Sequence, residues 1–222
     1  PALHMNLATF SYNLQYHLSK WGQWETITAL QGMHQTNKNY GEELLIPDAT
    51  INDIGAMATS HLHLSDKHDI QFGLRYDHRG ISAGPNGEVG SENYISELDR
   101  DFNSFNAALG YKMDITQNIL ARINLATGFR APNLAELTSN GVHEGTNRFE
   151  IGNPDLTNER NLQTDISLEY KNQHIEWFMN GFYNKINDYI YLQPNGDYVD
   201  NTPVYIYNQQ NANLYGGELG FH

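Results

Sequence analysis

Cysteine is absent from this 222-residue chain, which excludes disulfides and thiolate metal sites and says nothing of compartment. Positive charge is scarce. Lys and Arg number 13 against 26 Asp and Glu, a formal net charge of −13. Nucleic acid selects basic faces, so no nucleic-acid partner is expected. Long apolar runs are missing too, and without one of about 18 residues there is no transmembrane helix. No charged-then-apolar segment opens the chain, so no signal peptide is expected within these residues. A membrane barrel stays open, because its strands need only about ten alternating residues each. Catalytic signatures are also lacking. GxSxG, HExxH, a phosphate loop, GxGxxG and an EF-hand loop do not occur, so neither an enzyme nor a bound cofactor is expected.

What the chain does have is period-two alternation rich in aromatics, with 14 Tyr, 9 Phe and 3 Trp. From Ala8 to Leu18, Phe10, Tyr12, Leu14 and Tyr16 share one face and Ser11, Asn13, Gln15 and His17 the other. That pattern is a β-strand. Asp69 to Arg79 is cleaner still, with Ile70, Phe72, Leu74 and Tyr76 opposite Gln71, Arg75, Asp77 and Arg79. Strands are likewise predicted over Trp24–Gln35, Ile51–Leu64, Phe105–Met113, Ile119–Phe129, Asn161–Tyr170, Ile175–Tyr191 and Val204–Phe221, about nine in all. The seventeen residues from Ile175 are irregular, and a bulge near Gly181 would account for this. Short turns alternate with long loops at 36–50, 81–100, 130–158 and 193–203. A soluble sandwich has no reason to alternate its turn lengths. An outer-membrane barrel does, with short turns periplasmic and long loops outside. Tyr16, Trp21 and Trp24, and Tyr183, Tyr189 and Tyr191, suit interfacial aromatic girdles. They are also simply good strand formers.

One stretch carries more than periodicity. Residues 128–159 read GFRAPNLAELTSNGVHEGTNRFEIGNPDLTNE, far longer than an ordinary hairpin loop. Gly-Phe-Arg-Ala-Pro-Asn-Leu-Ala-Glu-Leu, then His-Glu-Gly-Thr-Asn-Arg-Phe-Glu-Ile-Gly-Asn-Pro-Asp-Leu and Glu159, resembles the barrel signature of TonB-dependent outer-membrane receptors. The resemblance implies an all-β, antiparallel, up-and-down transmembrane β-barrel. It would have roughly 22 strands around an N-terminal plug, with residues 1–222 a partial barrel domain lacking plug and TonB box. The ending Leu219-Gly220-Phe221-His222 lacks the terminal aromatic usual in such barrels, so a piece of a receptor is expected, unable to transport alone. The implied function is import of a scarce nutrient, an iron–siderophore complex or a metal ion, across the outer membrane of a Gram-negative bacterium. The implied partners are outer-membrane lipid, the TonB energy-coupling complex through the missing N-terminal region, and a small-molecule or metal-chelate substrate. Competing readings are a non-transporting adhesion or structural barrel and a soluble β-sandwich binding module.

Candidate site residues follow. His143 and Glu144 can ligate zinc through imidazole nitrogen and carboxylate oxygen, or can belong to the fold signature itself. His61 and His63, two apart on one strand face, can share a metal, although the sequence offers no evident third ligand. Arg130 and Arg148 can meet anionic substrate groups; pairing of Arg130 with Glu136, Glu144 or Glu150 is the alternative. Arg75, Asp77, Arg79, Arg122, Asp165 and Glu169 fall on lumen faces, where full receptors meet their plug.

Overall fold

The computed structural model describes residues 4–40, 45–143 and 145–221; Glu144 lies outside the described residues. Nine long strands form an antiparallel meander: β1 (Met5–His17), β2 (Trp24–Asn39), β3 (Ala49–Ser65), β4 (His68–Ala83), β5 (Leu98–Asp114), β6 (Ile119–Arg130), β9 (Glu159–Lys171), β10 (Glu176–Val199) and β11 (Thr202–Phe221). Between β6 and β9 lie a single helical turn, α1 (Leu134–Thr138), and two short strands, β7 (Asn140–His143) and β8 (Arg148–Ile151). All 11 strands make one sheet in the order β1-β2-β3-β4-β5-β6-β9-β10-β11-β8-β7. Among the described residues β8 alone pairs in parallel, setting Phe149–Ile151 against Val204–Ile206 of β11.

Strands β2, β4, β5 and β10 run past the limits the alternation predicted, so three of the four expected loops are shorter. The connection at 36–50 contracts to 40–48 and that at 81–100 to 84–97. The loop expected at 193–203 is mostly strand. Pro194 pairs with Tyr205, and Asn195–Asp197 bulge out of the ladder before Tyr198 pairs with Pro203. The Asn195 side chain accepts the Asp197 N–H at 2.9 Å, which closes the bulge locally. The real turn is Asp200-Asn201, with φ of 47° and 66°, the paired left-handed conformation of a two-residue hairpin. The irregularity in β10 lies not at Gly181, where pairing is continuous, but between Ile186 and Tyr189. There Asp188 takes φ of 56°, its N–H donates to the Asn211 side chain at 3.2 Å, and its carbonyl accepts from Gln209 at 2.8 Å.

Directly opposed residues of an antiparallel pair share a face, so the register assigns every side chain. Phe10, Leu14, Phe72, Leu74, Phe105, Leu109, Ile166, Tyr183, Leu219 and Phe221 fall on one face and are solvent-exposed. The opposite face carries Gln31, Asp53, Arg75, Asp77, Arg79, Arg122, Asp165 and Glu169. Aromatics gather on the apolar face near the short turns, where Tyr170 stacks on Trp177 at 6.0 Å and Trp24 meets Phe72 edge-on at 5.9 Å.

The buried core sits at the long-loop end of the polar face. Ala131, Leu134, Leu137 and Leu156 of the 131–158 connection cluster with Ala49, Ile81, Ala83, Leu98, Phe102 and Ile190 from the strands. Leu137 and Leu156 are 0% and 1% exposed. Burying each such side chain contributes about 1.5–3 kcal/mol. The longest connection is thus a folded element held against the sheet.

Candidate functional site

What holds that connection down begins with Arg130, the last residue of β6. Its guanidinium makes a two-pronged contact with Glu159, Nε to Oε2 at 2.7 Å and Nη2 to Oε1 at 2.8 Å. Its remaining Nη1 reaches both oxygens of Glu136 at 2.8 and 2.7 Å. Arg130 and Glu159 are opposite one another in the β6–β9 register, so the fork has a fixed base. Glu136 serves twice: it accepts the Asn133 N–H at 2.8 Å while Asn133 caps the Glu136 N–H at 2.8 Å. That capping box starts α1. Glu159 also accepts the Ile190 N–H at 2.5 Å. One cation therefore ties helix, strand β9 and strand β10 together.

Other clasps repeat the logic. Arg100 donates to the carbonyls of Pro154 and, at 2.9 Å, Leu156. Asn86 reaches from the 84–97 connection to the carbonyls of Leu45 at 3.1 Å and Thr138 at 3.0 Å, joining three connections. Gly152 lies so close to α1 that a Cβ there would stand 2.5–2.7 Å from the backbone of residues 137–139. Only glycine permits that approach. Below this cap the polar face holds a cleft of about 380 Å³, lined in part by Gln31, Asp53, Arg75, Asp77, Arg79 and Arg130. Arg75 clasps Asp77 and donates to Gln31 at 2.7 Å. Arg79 pairs with Asp53 at 2.6 Å.

The residues singled out from sequence are distributed as follows. Arg75, Asp77, Arg79, Arg122, Asp165 and Glu169 all fall on the polar face; Arg122 is paired with Glu169, and Asp165 accepts from Gln163 at 2.7 Å. Arg130 is engaged by two carboxylates, Glu136 and Glu159, and among its expected partners Glu150 is elsewhere. His143 and Arg148 face each other across the β7–β8 pair. Glu150, 5% exposed, contacts His143 Nδ1 at 3.2 Å and accepts from the Tyr207 hydroxyl at 3.0 Å. Arg148 lies over the Tyr205 ring at 5.1 Å. His143 thus has a carboxylate partner in Glu150, which the sequence had offered only to Arg130.

His61 and His63 lie at the other end of the same face. Their rings are 4.1 Å apart, and His63 Nδ1 meets Asp69 Oδ1 at 2.6 Å. Glu25, opposite His61 in the β2–β3 register, completes a group whose ligand atoms all lie within 4.8 Å of one another. Glu25 and Asp69 were missed because only strand register, not sequence spacing, brings them to the two histidines.

Comparison with known proteins gives a consistent answer. A family model described as TonB dependent receptor-like, beta-barrel matches residues 4–222. The copper transporter OprC superposes with a TM-score of 0.79 at 16% identity, over 98% of this chain and 35% of that one. The hemophore receptor HasR of Serratia marcescens, solved with its hemophore HasA and heme, superposes with a TM-score of 0.78 at 12% identity, over 98% of this chain and 39% of that one. The ferric yersiniabactin uptake receptor FyuA of Yersinia pestis gives a TM-score of 0.66 at 15% identity, over 100% of this chain and 34% of that one. The chain spans little more than a third of each of these proteins.

Proposed function

The chain belongs to the TonB-dependent receptor β-barrel family, a family of transport receptors rather than enzymes, and from that premise we propose that it builds part of an outer-membrane importer for a scarce nutrient. The cargo class is an iron chelate or a metal ion, and the energy comes through TonB. In this reading the exposed apolar face meets lipid and the ion-paired face lines the lumen. Short turns lie in the periplasm and the long connections outside. The six charged residues Arg75, Asp77, Arg79, Arg122, Asp165 and Glu169 then meet the plug. His143 and Arg148 stand where cargo arrives, with Glu144 beside them in sequence, while Arg130 holds the loop in place.

The observation that carries the reading is the contrast between faces. A soluble sandwich of this sheet would have to cover Phe10, Leu14, Phe105, Ile166, Leu219 and Phe221, each at least 56% exposed. A continuous exposed apolar face of this kind marks contact with an apolar phase. The folded 131–158 connection meanwhile covers the polar face, as a lumen-facing loop would. Radiolabelled ferric siderophore and zinc, offered to cells expressing the full-length protein with and without TonB, test the proposal. Accumulation of one of them that disappears without TonB is expected. Accumulation of both at the same rate in either background would overturn it.

A further inference from the structure

We propose that Glu25, His61 and His63 form a site for one divalent cation of the zinc class on the polar face at the short-turn end. Alternation puts His61 and His63 on the same side of β3, and Glu25 is the Cα partner of His61 on β2. Two imidazoles and a carboxylate suit a borderline ion such as zinc, whereas calcium and magnesium favour oxygen-only sets. A tetrahedral ion held at about 2.0–2.2 Å brings its ligand atoms to roughly 3.4 Å from one another. The present spread is within 4.8 Å, so closing on an ion asks each ligand atom to move by about an ångström.

The surroundings have the form of a metal site's support. Asp69 is the Cα partner of His63 on β4; its Oδ1, 2.6 Å from His63 Nδ1 and 3.3 Å from His61 Nε2, orients the His63 ring with Nε2 toward Glu25 Oε1 at 3.9 Å. A carboxylate behind a ligating imidazole fixes its tautomer and raises its basicity. Three adjacent strands thus supply ligand, ligands and orienter at fixed register. Beside the group opens a cleft of about 340 Å³, bordered by His17, Lys20, Glu25, His61 and Gln71, which gives an ion a way in. Three protein ligands leave a fourth position for water. As a resting point for cargo at the periplasmic end of the lumen, the site rests on the import reading; as a binding site it does not.

Calorimetric titration of Zn²⁺ into the full-length protein in detergent tests the proposal, comparing wild type with His61→Ala/His63→Ala and with His143→Ala. The double variant is expected to bind one zinc fewer per chain, and His143→Ala to keep that zinc. Asp69→Asn is expected to keep the ion with affinity lowered about 10–100-fold. Equal zinc stoichiometry in wild type and the double variant overturns the site. If the double variant fails to fold, judged by loss of heat-modifiable migration, Glu25→Gln at its exposed position carries the same comparison. Zinc uptake is measured separately. Binding without uptake leaves the site standing and counts against zinc import, while uptake with unchanged stoichiometry in the double variant removes the site and leaves import in place.

Discussion

At the long-loop end, the polar face of the sheet is covered: the 131–158 connection lies on it, Arg130 is shared between Glu136 and Glu159, and Leu137 and Leu156 are sealed from solvent. At the short-turn end no connection among the described residues lies over the same face, and its charges pair with one another, as Lys112 does with Asp69 at 3.5 Å and with Asp114 at 3.3 Å. Both ends hold histidines beside carboxylates, yet the settings differ. His143 meets a carboxylate buried in a folded loop, whereas His61 and His63 stand on rigid strands beside an open cleft. Burial makes the first end a structural clasp, because a buried carboxylate must keep its partners. At the second, the adjoining cleft gives a solvated ion a way to His61 and Glu25.

The largest expected effect breaks the clasp. Arg130→Met removes the cation from two carboxylates whose side chains are only 10% and 11% exposed. Leaving buried charges unpaired costs about 3–5 kcal/mol, here shared between detachment of the connection and loss of the Ile190 contact. Hydrogen exchange should show residues 131–158 losing protection while β3 and β4 near His61 keep theirs. Unchanged protection of the connection would mean that the apolar cluster alone suffices to hold it.

How much of this was legible beforehand follows from the range of each interaction. Strands such as Asp69–Arg79 announce themselves because period two is local and one face is apolar throughout. Their ends do not, because Pro-Asn-Gly-Asp at 194–197 has turn composition yet sits as a bulge inside β10, decided by the β11 ladder before and after it, Pro194 with Tyr205 and Tyr198 with Pro203. Helix α1 did carry a local signal, Asn133 with Glu136 three residues on, the N-cap and N3 pair of a capping box. The contacts that matter most were not local. Arg130 with Glu159, Glu150 with Tyr207, and Glu25 with His61 each require a strand register that a single chain of letters does not state. Family resemblance supplied the barrel; register supplied the sites.

A smaller change sharpens the contrast from the packing side. Gly152→Ala places a methyl against the backbone of residues 137–139, with the nearest atom 2.5 Å away. Overpacking of this kind costs about 1–3 kcal/mol, and the backbone cannot give way as a flexible side chain would. Proteolytic cleavage within 131–158 should accelerate, by less than in Arg130→Met, with no change in zinc stoichiometry. A zinc-binding defect in Gly152→Ala would show that the two ends are coupled rather than separate.

The smallest effect tests the open end by removing a competitor. Lys20 holds Glu25 at 2.8 Å, in a pair whose side chains are 57% and 50% exposed. Such exposed pairs are weak. An ion that takes the Glu25 carboxylate must displace or share with that ammonium, and the two positive charges repel. Lys20→Ala should therefore tighten zinc binding, by about fivefold at most, with stoichiometry unchanged. Raised salt should shrink the difference between the two proteins, because an exposed pair is screened. Weaker zinc binding in Lys20→Ala would assign Lys20 the opposite role, that of fixing the Glu25 carboxylate in its ligating position.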